Sequence, residues 1–553
     1  MSKAIIYCGV LCSLAFLLFL GSTGLVDETE PLFAEAGKGM FLTGDWITPY
    51  YNGETRFDKP PLIYWGMAIA FHLFGVNTWG VRLPSALGAI VLTFVSFYTV
   101  LRFHKSSNSA WLVPAILSFN FYSLAWGRTG VSDMLLSAGM GCGLLCFFTG
   151  YAEASQRKTT LSLWQFPSLW YSLSAVSLAL AVLAKGPVGV VLPGLIILAF
   201  LLYVGKCKTV VGEMGIIWLT VIFSVIAVPW FVLISQRHSD YIETFFGYHN
   251  VQRFTEVVSN HPGPWYYYFI VLLILFIPWS LYLPGAIANT EFWRRRFWSQ
   301  QSPPEQLPLF AVIWVIAIFV FFSIASTKLP SYILPLIPAA SILISLYWGE
   351  AKYSTSMLIS IIINLIFVFV LAIAFWLSPR FIDVDVAVAD LPQILATSGI
   401  PVLAGLIWFV CGLSLIFLLI RKQWRWIIWS NIITFIFFFL FVLIPTTFLM
   451  DTVRQYPLRN LANSIVEFKQ PAEEILMLGF RKPSLVFYSG NNLKFFRTSN
   501  SFTDYWETLQ QDSVDSVLIV TYIDRLENFY LNQKNYEILD QQAIYLLLRV
   551  DVD

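Results

Sequence analysis

Apolar residues fill this chain in runs too long and too frequent for the core of a soluble domain. They cover residues 4–21, 81–101, 110–126, 131–150, 168–184, 187–204, 213–235, 265–285, 308–325, 332–348, 356–377, 399–420 and 427–448. A helix rises about 1.5 Å per residue, so roughly 20 apolar residues cross a bilayer, and the pattern predicts about 13 transmembrane helices. The first run follows Lys3. At about 18 apolar residues it is longer than most secretion-signal cores and reads as a retained span.

Two stretches break this pattern. Residues 22–80 form a long polar loop that carries Asp27-Glu28 and Arg56-Phe57-Asp58-Lys59-Pro60-Pro61. Beyond residue 450 the apolar runs shrink to strand length, at Ile475–Leu478, Leu485–Tyr488 and Val517–Val520, with a further stretch at Ala543–Leu548 behind helix-compatible segments. Residues 1–450 therefore read as the membrane domain and residues 451–553 as a soluble α/β domain.

Composition supports the membrane reading. The 553 residues are 57% hydrophobic and 12% charged, where soluble domains carry roughly 25% charge. A net charge of +1 gives no basic field and excludes nucleic acid as a partner. An aromatic share of 17% suits interfacial belts. The six cysteines show neither a disulfide framework nor zinc-knuckle spacing. Cys8/Cys12 and Cys142/Cys146 have the spacing of packing residues on one helix face.

Charge also orients the chain. One set of alternate loops carries Lys3, Arg102 with Lys105, Arg157 with Lys158, Lys206 with Lys208, Arg294-Arg295-Arg296, Lys352 and Arg421-Lys422-Arg425. The positive-inside rule makes these cytoplasmic. The N-terminus is then inside, and an odd number of spans puts the 22–80 loop and the C-terminal domain on the outer face.

The candidate chemistry gathers on that outer face: Asp27 and Glu28, Asp133, Lys185 before Gly186-Pro187, His249 and Arg253, and Lys328 before Leu329-Pro330-Ser331-Tyr332. Each has a bland reading taken alone: a solvated helix end, an N-cap, a snorkelling lysine, a structural histidine. Together they offer acids to handle a hydroxyl proton and bases to hold a phosphate, which suits group transfer from a lipid-phosphate donor. A lipid or solute transporter could use the same groups, but it predicts ionisable residues near mid-membrane and half-to-half symmetry, and neither is clear in the sequence.

The motifs also carry a resemblance. Asp27-Glu28-Thr29 with Ala34-Glu35, Gly44-Asp45-Trp46-Ile47-Thr48-Pro49, Asn52-Gly53 and Asp58-Lys59-Pro60-Pro61-Leu62-Ile63-Tyr64-Trp65 resemble the first external loop of the bacterial aminoarabinose lipid A transferases. These belong with the protein O-mannosyltransferases in the GT-C superfamily. Arg82-Leu83-Pro84-Ser85, Ala184-Lys185-Gly186-Pro187, His249 through Phe254, Gly263 through Tyr267 and Lys328 through Pro335 extend the likeness over most of residues 1–350.

The resemblance implies a polytopic α-helical membrane protein of GT-C type, with 13 spans and a C-terminal soluble α/β domain on the outer (periplasmic) face of a bacterial plasma (inner) membrane. It implies a monomeric enzyme that transfers a sugar from a polyprenyl phosphate, such as undecaprenyl phosphate, with inversion. The acceptor would be a lipid or another envelope molecule, or a protein in the mannosyltransferase-like alternative.

Carried onto this sequence, the resemblance makes Asp27 the leading catalytic carboxylate, with Glu28 beside it and Asp133 as a second acid. Lys59, Arg253 and Lys185 would grip the donor phosphate. Arg56, Tyr332 and Lys328 would line the cavity. Asp58 and His249 would be ligands of a divalent metal such as zinc, and no other cofactor is implied. Two departures stand out. Asp58 replaces the usual, longer Glu before Lys-Pro-Pro, and Glu30-Pro31 stands where an Arg commonly follows the Asp-Glu pair, removing a positive charge.

Overall fold

The computed structural model describes residues 2–104, 107–154, 164–245, 247, 256, 262–349, 354–383, 385, 387–511, 514–531 and 534–552. Among them, eight helices are long and apolar enough to cross a membrane, and four shorter apolar helices accompany them, Lys3–Leu17, Leu62–Phe74, Leu169–Lys185 and Val188–Val204.

Two of the expected spans are broken. The run at 110–126 divides into Ser107–Ser118 and Phe121–Gly127, with the Asn120 side chain accepting from Ser123 N at the start of the second helix. The run at 265–285 divides into Tyr267–Leu275, a 3₁₀ turn at Trp279–Leu281, and Leu283–Asn289. Hydrophobicity alone cannot register such breaks, because a capping Asn or a Pro that removes a backbone donor changes the helix without changing its polarity.

Small residues let the bundle close tightly. Helix Ser132–Ala154 lies against Leu169–Lys185 at Gly139, where an added Cβ would sit 2.8 Å from the Ala181 Cβ. Buried polar groups then bond between helices: Asn431 donates to the Tyr282 hydroxyl at 2.9 Å and accepts from Asn364 at 3.2 Å.

The polar loop is itself ordered. Helices Thr29–Thr43 and Leu62–Phe74 flank a hairpin of two short strands, β1 (Tyr50–Tyr51) and β2 (Glu54–Thr55). Asn52 and Gly53 form its turn with φ of 56° and 81°, the left-handed pair that tight hairpins require. Phe33, Met40, Ile63, Tyr64, Met67 and Phe71 pack between the two loop helices, and Phe487 of the C-terminal domain joins the same cluster.

The C-terminal sheet contains β3 (Ile475–Leu478), β4 (Lys494–Phe496), β5 (Ser516–Tyr522), β6 (Tyr536–Gln542) and β7 (Tyr545–Asp551) in the order β4-β3-β5-β7-β6. Strand β3 runs parallel to β4 and β5, pairing Met477 with Phe495 and Val520, while β7 runs antiparallel to β5 and β6. Strand alternation divides the core. Ile475, Met477, Leu518 and Val520 meet Leu458, Leu461 and Ile465 of helix Tyr456–Phe468 and Leu485 on one face. Leu476, Leu478, Val517 and Ile519 meet Phe502, Trp506 and Leu509 of helix Ser499–Gln511 on the other. Both faces are covered, which is why β3 and β5 read as unbroken apolar runs.

One strand expectation is corrected: Leu485–Tyr488 lies in helix Pro483–Ser489. Proline is favoured in the first helical turn, and a four-residue apolar run does not by itself distinguish strand from helix. A 44-residue helical segment, Arg425–Phe468, runs from the bundle into the domain through π turns at Phe439–Leu443 and Asp451–Gln455. Residue 450 lies inside it, so bundle and domain share a continuous helix.

Candidate active site

The first loop leaves the bundle through a corner built on Glu30 and Arg82. Both side chains are buried and paired two-pronged, Arg82 Nε to Glu30 Oε1 at 2.8 Å and Nη2 to Oε2 at 2.9 Å. Arg82 also donates to the carbonyls of Leu20 and Gly24 at 2.9 and 2.7 Å. Glu30 accepts from the backbone N–H of Val26 and Gly130, both at 2.8 Å. A buried ion pair is tolerated where its remaining protons and lone pairs are satisfied, as they are here. In the sequence, Glu30 registers only as the loss of a positive charge. The signal that could have revealed its partner is Arg82, a charge inside an apolar helix that needs a counter-charge.

Asp27 is held differently. Its Oδ1 accepts from Ser484 N at 3.0 Å and its Oδ2 from Ser484 Oγ at 2.5 Å. Burial pushes the carboxyl up to about 6, while the Ser484 hydrogen bonds and the nearby Lys482 ammonium pull the other way. Glu28, expected beside it as a second carboxylate, is exposed and makes no side-chain capping bond at the start of helix Thr29–Thr43. The two adjacent acids therefore face different surroundings.

Asp27 and Lys482 line a cavity of about 750 Å³. Phe121, Leu124, Leu275, Phe439 and Leu443 supply its apolar walls, and Arg128, Asp451 and Arg454 its polar ones. Both π turns of the long helix contribute to this lining. An apolar hollow with a few charged groups at one end suits an amphiphile.

The cationic residues gather in a second cluster. The Lys185 ammonium, in the last turn of its helix, donates to Asp133 Oδ1 at 2.5 Å and lies 5.3 Å from the centre of the Tyr332 ring. Asp133 is also hydrogen-bonded by Ser331 and lies within electrostatic reach of Lys59. Lys59 Nζ donates to Asp58 O at 2.7 Å, and Asp58 Oδ2 accepts from Arg56 Nη2 at 2.7 Å. Arg56 also donates Nε to the Tyr64 hydroxyl at 3.3 Å and lies 4.9 Å from the Phe33 ring centre. Pro60-Pro61 stiffens the backbone behind Lys59 as helix Leu62–Phe74 begins. Tyr51 joins the two clusters, being within electrostatic reach of both Asp27 and Arg56.

The expected residues thus divide. Asp27 lies on the cavity wall, and Lys59, Arg56, Asp133, Lys185 and Tyr332 converge in the linked charge cluster. Lys328, expected to line the cavity, donates to the Ser323 and Ala325 carbonyls at 2.8 Å each, at the end of helix Leu307–Ile324. His249 and Arg253 lie outside the described residues. Among the described residues, no three His, Cys, Asp or Glu side chains gather as metal ligands. Asp58 Oδ2 accepts from Arg56 Nη2 at 2.7 Å, with Lys59 Nζ 4.0 Å away. Ser484, Lys482 and Tyr51 were not expected at the site. Ser484 is 457 positions from Asp27, and no local pattern marks it.

The family described as dolichyl-phosphate-mannose-protein mannosyltransferase matches residues 24–245, and the C-terminal domain of cyanobacterial RgtA-type glycosyltransferases matches residues 468–553. The crystal structure of ArnT from Cupriavidus metallidurans bound to undecaprenyl phosphate superposes with a TM-score of 0.80 over 99% of this chain and 98% of that one, at 23% identity. The chain has the GT-C fold and resembles the aminoarabinose transferases. Curated relatives include the undecaprenyl phosphate-alpha-4-amino-4-deoxy-L-arabinose arabinosyl transferases of Shewanella sediminis and Yersinia pestis. The first is 31% identical over 61% of this chain and 59% of its own length. The second is 29% identical over 75% and 72%. The chain thus spans less than two thirds of the Shewanella relative. The two family matches cover different parts of the chain, the mannosyltransferase one the first loop and the helices up to residue 245, the RgtA-type one the C-terminal sheet.

Proposed function

We propose that this protein is a membrane glycosyltransferase of the bacterial inner membrane. It moves a sugar from a polyprenyl-phosphate donor to a lipid or other envelope acceptor, with inversion at the anomeric carbon. The observation that carries this reading is a half-buried Asp27, its carboxyl raised to about 6, on the wall of an amphiphile-sized hollow and linked to a cluster of cations. The likeness to ArnT bound to undecaprenyl phosphate, and the names of the curated relatives, support the donor class.

The donor's prenyl tail stays in lipid, and Lys59 and Arg253 are assigned the role of holding its phosphate. Asp27 orients the acceptor hydroxyl and takes its proton as the acceptor oxygen bonds to the anomeric carbon. The bond from that carbon to the phosphate oxygen breaks, and the electron pair leaves on the lipid phosphate, where Lys59 and Arg253 stabilise it. Phosphate is a good leaving group and needs no general acid. Asp133 fixes the Lys185 ammonium beside Tyr332, so Lys185 acts as an oriented charge at the edge of this site. A carboxylate raised to about 6 is a stronger base than an ordinary Asp and is still ionised at neutral pH. No step is routed through a metal.

The first loop and the C-terminal domain lie at the same end of the bundle, and we place that end outside the cytoplasm, with the N-terminus inside and the protein acting as a monomer. The match to mannosyltransferases over residues 24–245 favours a second reading, in which the acceptor is a protein. Mass spectrometry of envelope lipids, glycans and surface proteins from cells with and without the protein separates the two. A missing lipid adduct supports the first reading and a missing protein adduct the second. Full turnover by Asp27→Asn in vesicles supplied with a polyprenyl-phosphate sugar overturns the role of Asp27 in either reading, and a wild-type protein that transfers no sugar there overturns both.

A further inference from the structure

The C-terminal domain carries no catalytic signature of its own, yet it reaches into the site. The four residues from Gly24 to Asp27 are tied down one after another. Gly24 N donates to Asp451 Oδ1 at 2.7 Å, Leu25 N to the Tyr488 hydroxyl at 2.8 Å, and Val26 N to Glu30 Oε2 at 2.8 Å. The Asp27 carboxylate accepts both Ser484 donors. Three of these four ties come from beyond residue 450.

The segment that supplies them is docked firmly. Lys38 Nζ donates to Phe487 O at 2.8 Å, and Asn52 exchanges hydrogen bonds with the Leu493 backbone at 2.7 and 2.8 Å. Arg459 braces Asp451 at 2.6 Å.

We propose that the C-terminal domain completes the catalytic centre, with Ser484 as a positioning residue that fixes the plane of the Asp27 carboxylate. A carboxylate on a short side chain can still turn about its last bond. Donors to both oxygens from one residue stop that rotation and aim the free lone pairs. Ser484 does so with neutral groups, so it orients the base without cancelling its charge, as a paired arginine would.

The charged and titratable groups facing Asp27 are Lys482 from the loop before helix Pro483–Ser489, Glu28 from its own segment, Tyr51 from the hairpin and Tyr545 from β7. Of these, Lys482 is the cation that favours the ionised form.

This inference rests on the glycosyltransferase reading, and its test keeps the two separable. Transfer is followed against pH in the full-length protein for Ser484→Ala, Ser484→Thr and Lys482→Gln. Ser484→Ala is expected to lower kcat with the donor KM unchanged. It should also move the acid limb of the profile upward by about one pH unit, the order expected for losing the hydroxyl's hydrogen bond to an ionised group while the Ser484 backbone N–H stays in place. Ser484→Thr keeps the hydroxyl and restores the limb. Lys482→Gln leaves Ser484 in place and shifts the limb in the same direction, which keeps the test open if Ser484→Ala fails to fold. A folded Ser484→Ala or Lys482→Gln protein with a wild-type kcat and acid limb overturns the inference. If Asp27→Asn is inactive while these variants behave as wild type, only the positioning role falls. If Asp27→Asn turns over like wild type, the assignment of Asp27 as the base falls, and if the wild-type protein transfers no sugar, the functional reading falls.

Discussion

Asp27 and Glu30 lie three positions apart, and the fold treats them in opposite ways. Glu30 is sealed beneath the loop with an arginine on both oxygens and two backbone donors besides. Asp27 sits on a cavity wall, held by the neutral donors of one serine, and its carboxyl is pushed up to about 6 by burial. A full ionic partner makes an acid a structural fastener, because its charge is already answered. An acid oriented by neutral groups keeps a charge that can act on a substrate. The same contrast recurs in the second cluster, where Asp133 is matched to Lys185 and anchors that cation.

The contrast is broken most directly at its two poles. Asp27→Asn is expected to lower turnover by about 10²–10⁴-fold, the usual share of a general base, while the melting temperature in detergent stays at or above wild type. The sign follows from linkage. The folded carboxyl titrates at about 6 against an ordinary 3.8, so its stabilising contribution is present at low pH and is lost as pH rises through that window. Removing the charge therefore costs no stability at neutral pH. Glu30→Gln should do the reverse. It leaves Arg82 buried without its partner, at a cost of about 3–5 kcal/mol. A thermal-unfolding series in which Glu30→Gln melts like wild type would remove the structural half of the comparison.

Smaller effects sharpen it. Lys185→Met should cost about 1.5–3 kcal/mol, the value of a hydrogen bond to a charged group, and a double-mutant cycle with Asp133→Asn should recover most of it. Lys59→Ala is expected to raise the donor KM on the order of tenfold, equivalent to about 1.4 kcal/mol of lost phosphate contact, with a lesser change in kcat. An unchanged dependence on donor concentration would count against its role. The mildest effect is on pH dependence. Wild-type transfer should rise with pH through about 6 as Asp27 ionises, and a rise near 4 would mean that Asp27 is more exposed than the fold makes it.

The membrane bundle was legible because bilayer thickness imposes a length that apolar runs must meet, and β3 and β5 were legible because both their faces are covered. The breaks at Asn120 and before Trp279 were not, since they depend on caps and backbone donors. The Leu485–Tyr488 run deceived because four apolar residues fit either a strand or a helix. Within the site, Asp27, Lys59, Asp133 and Lys185 stood out as charges gathered at one end of an apolar chain. Lys328 belonged to the same pattern, and its bonds to the Ser323 and Ala325 carbonyls were not legible in it.

The sequence by itself determined a helical membrane bundle, a long polar loop and the types of group available, because hydrophobic length and charge are local properties of the chain. The tertiary structure decided which acid is locked in an ion pair and which lies on a cavity wall. That depends on partners far away along the chain, Arg82 for Glu30 and Ser484 for Asp27, and on how completely each carboxylate is removed from water.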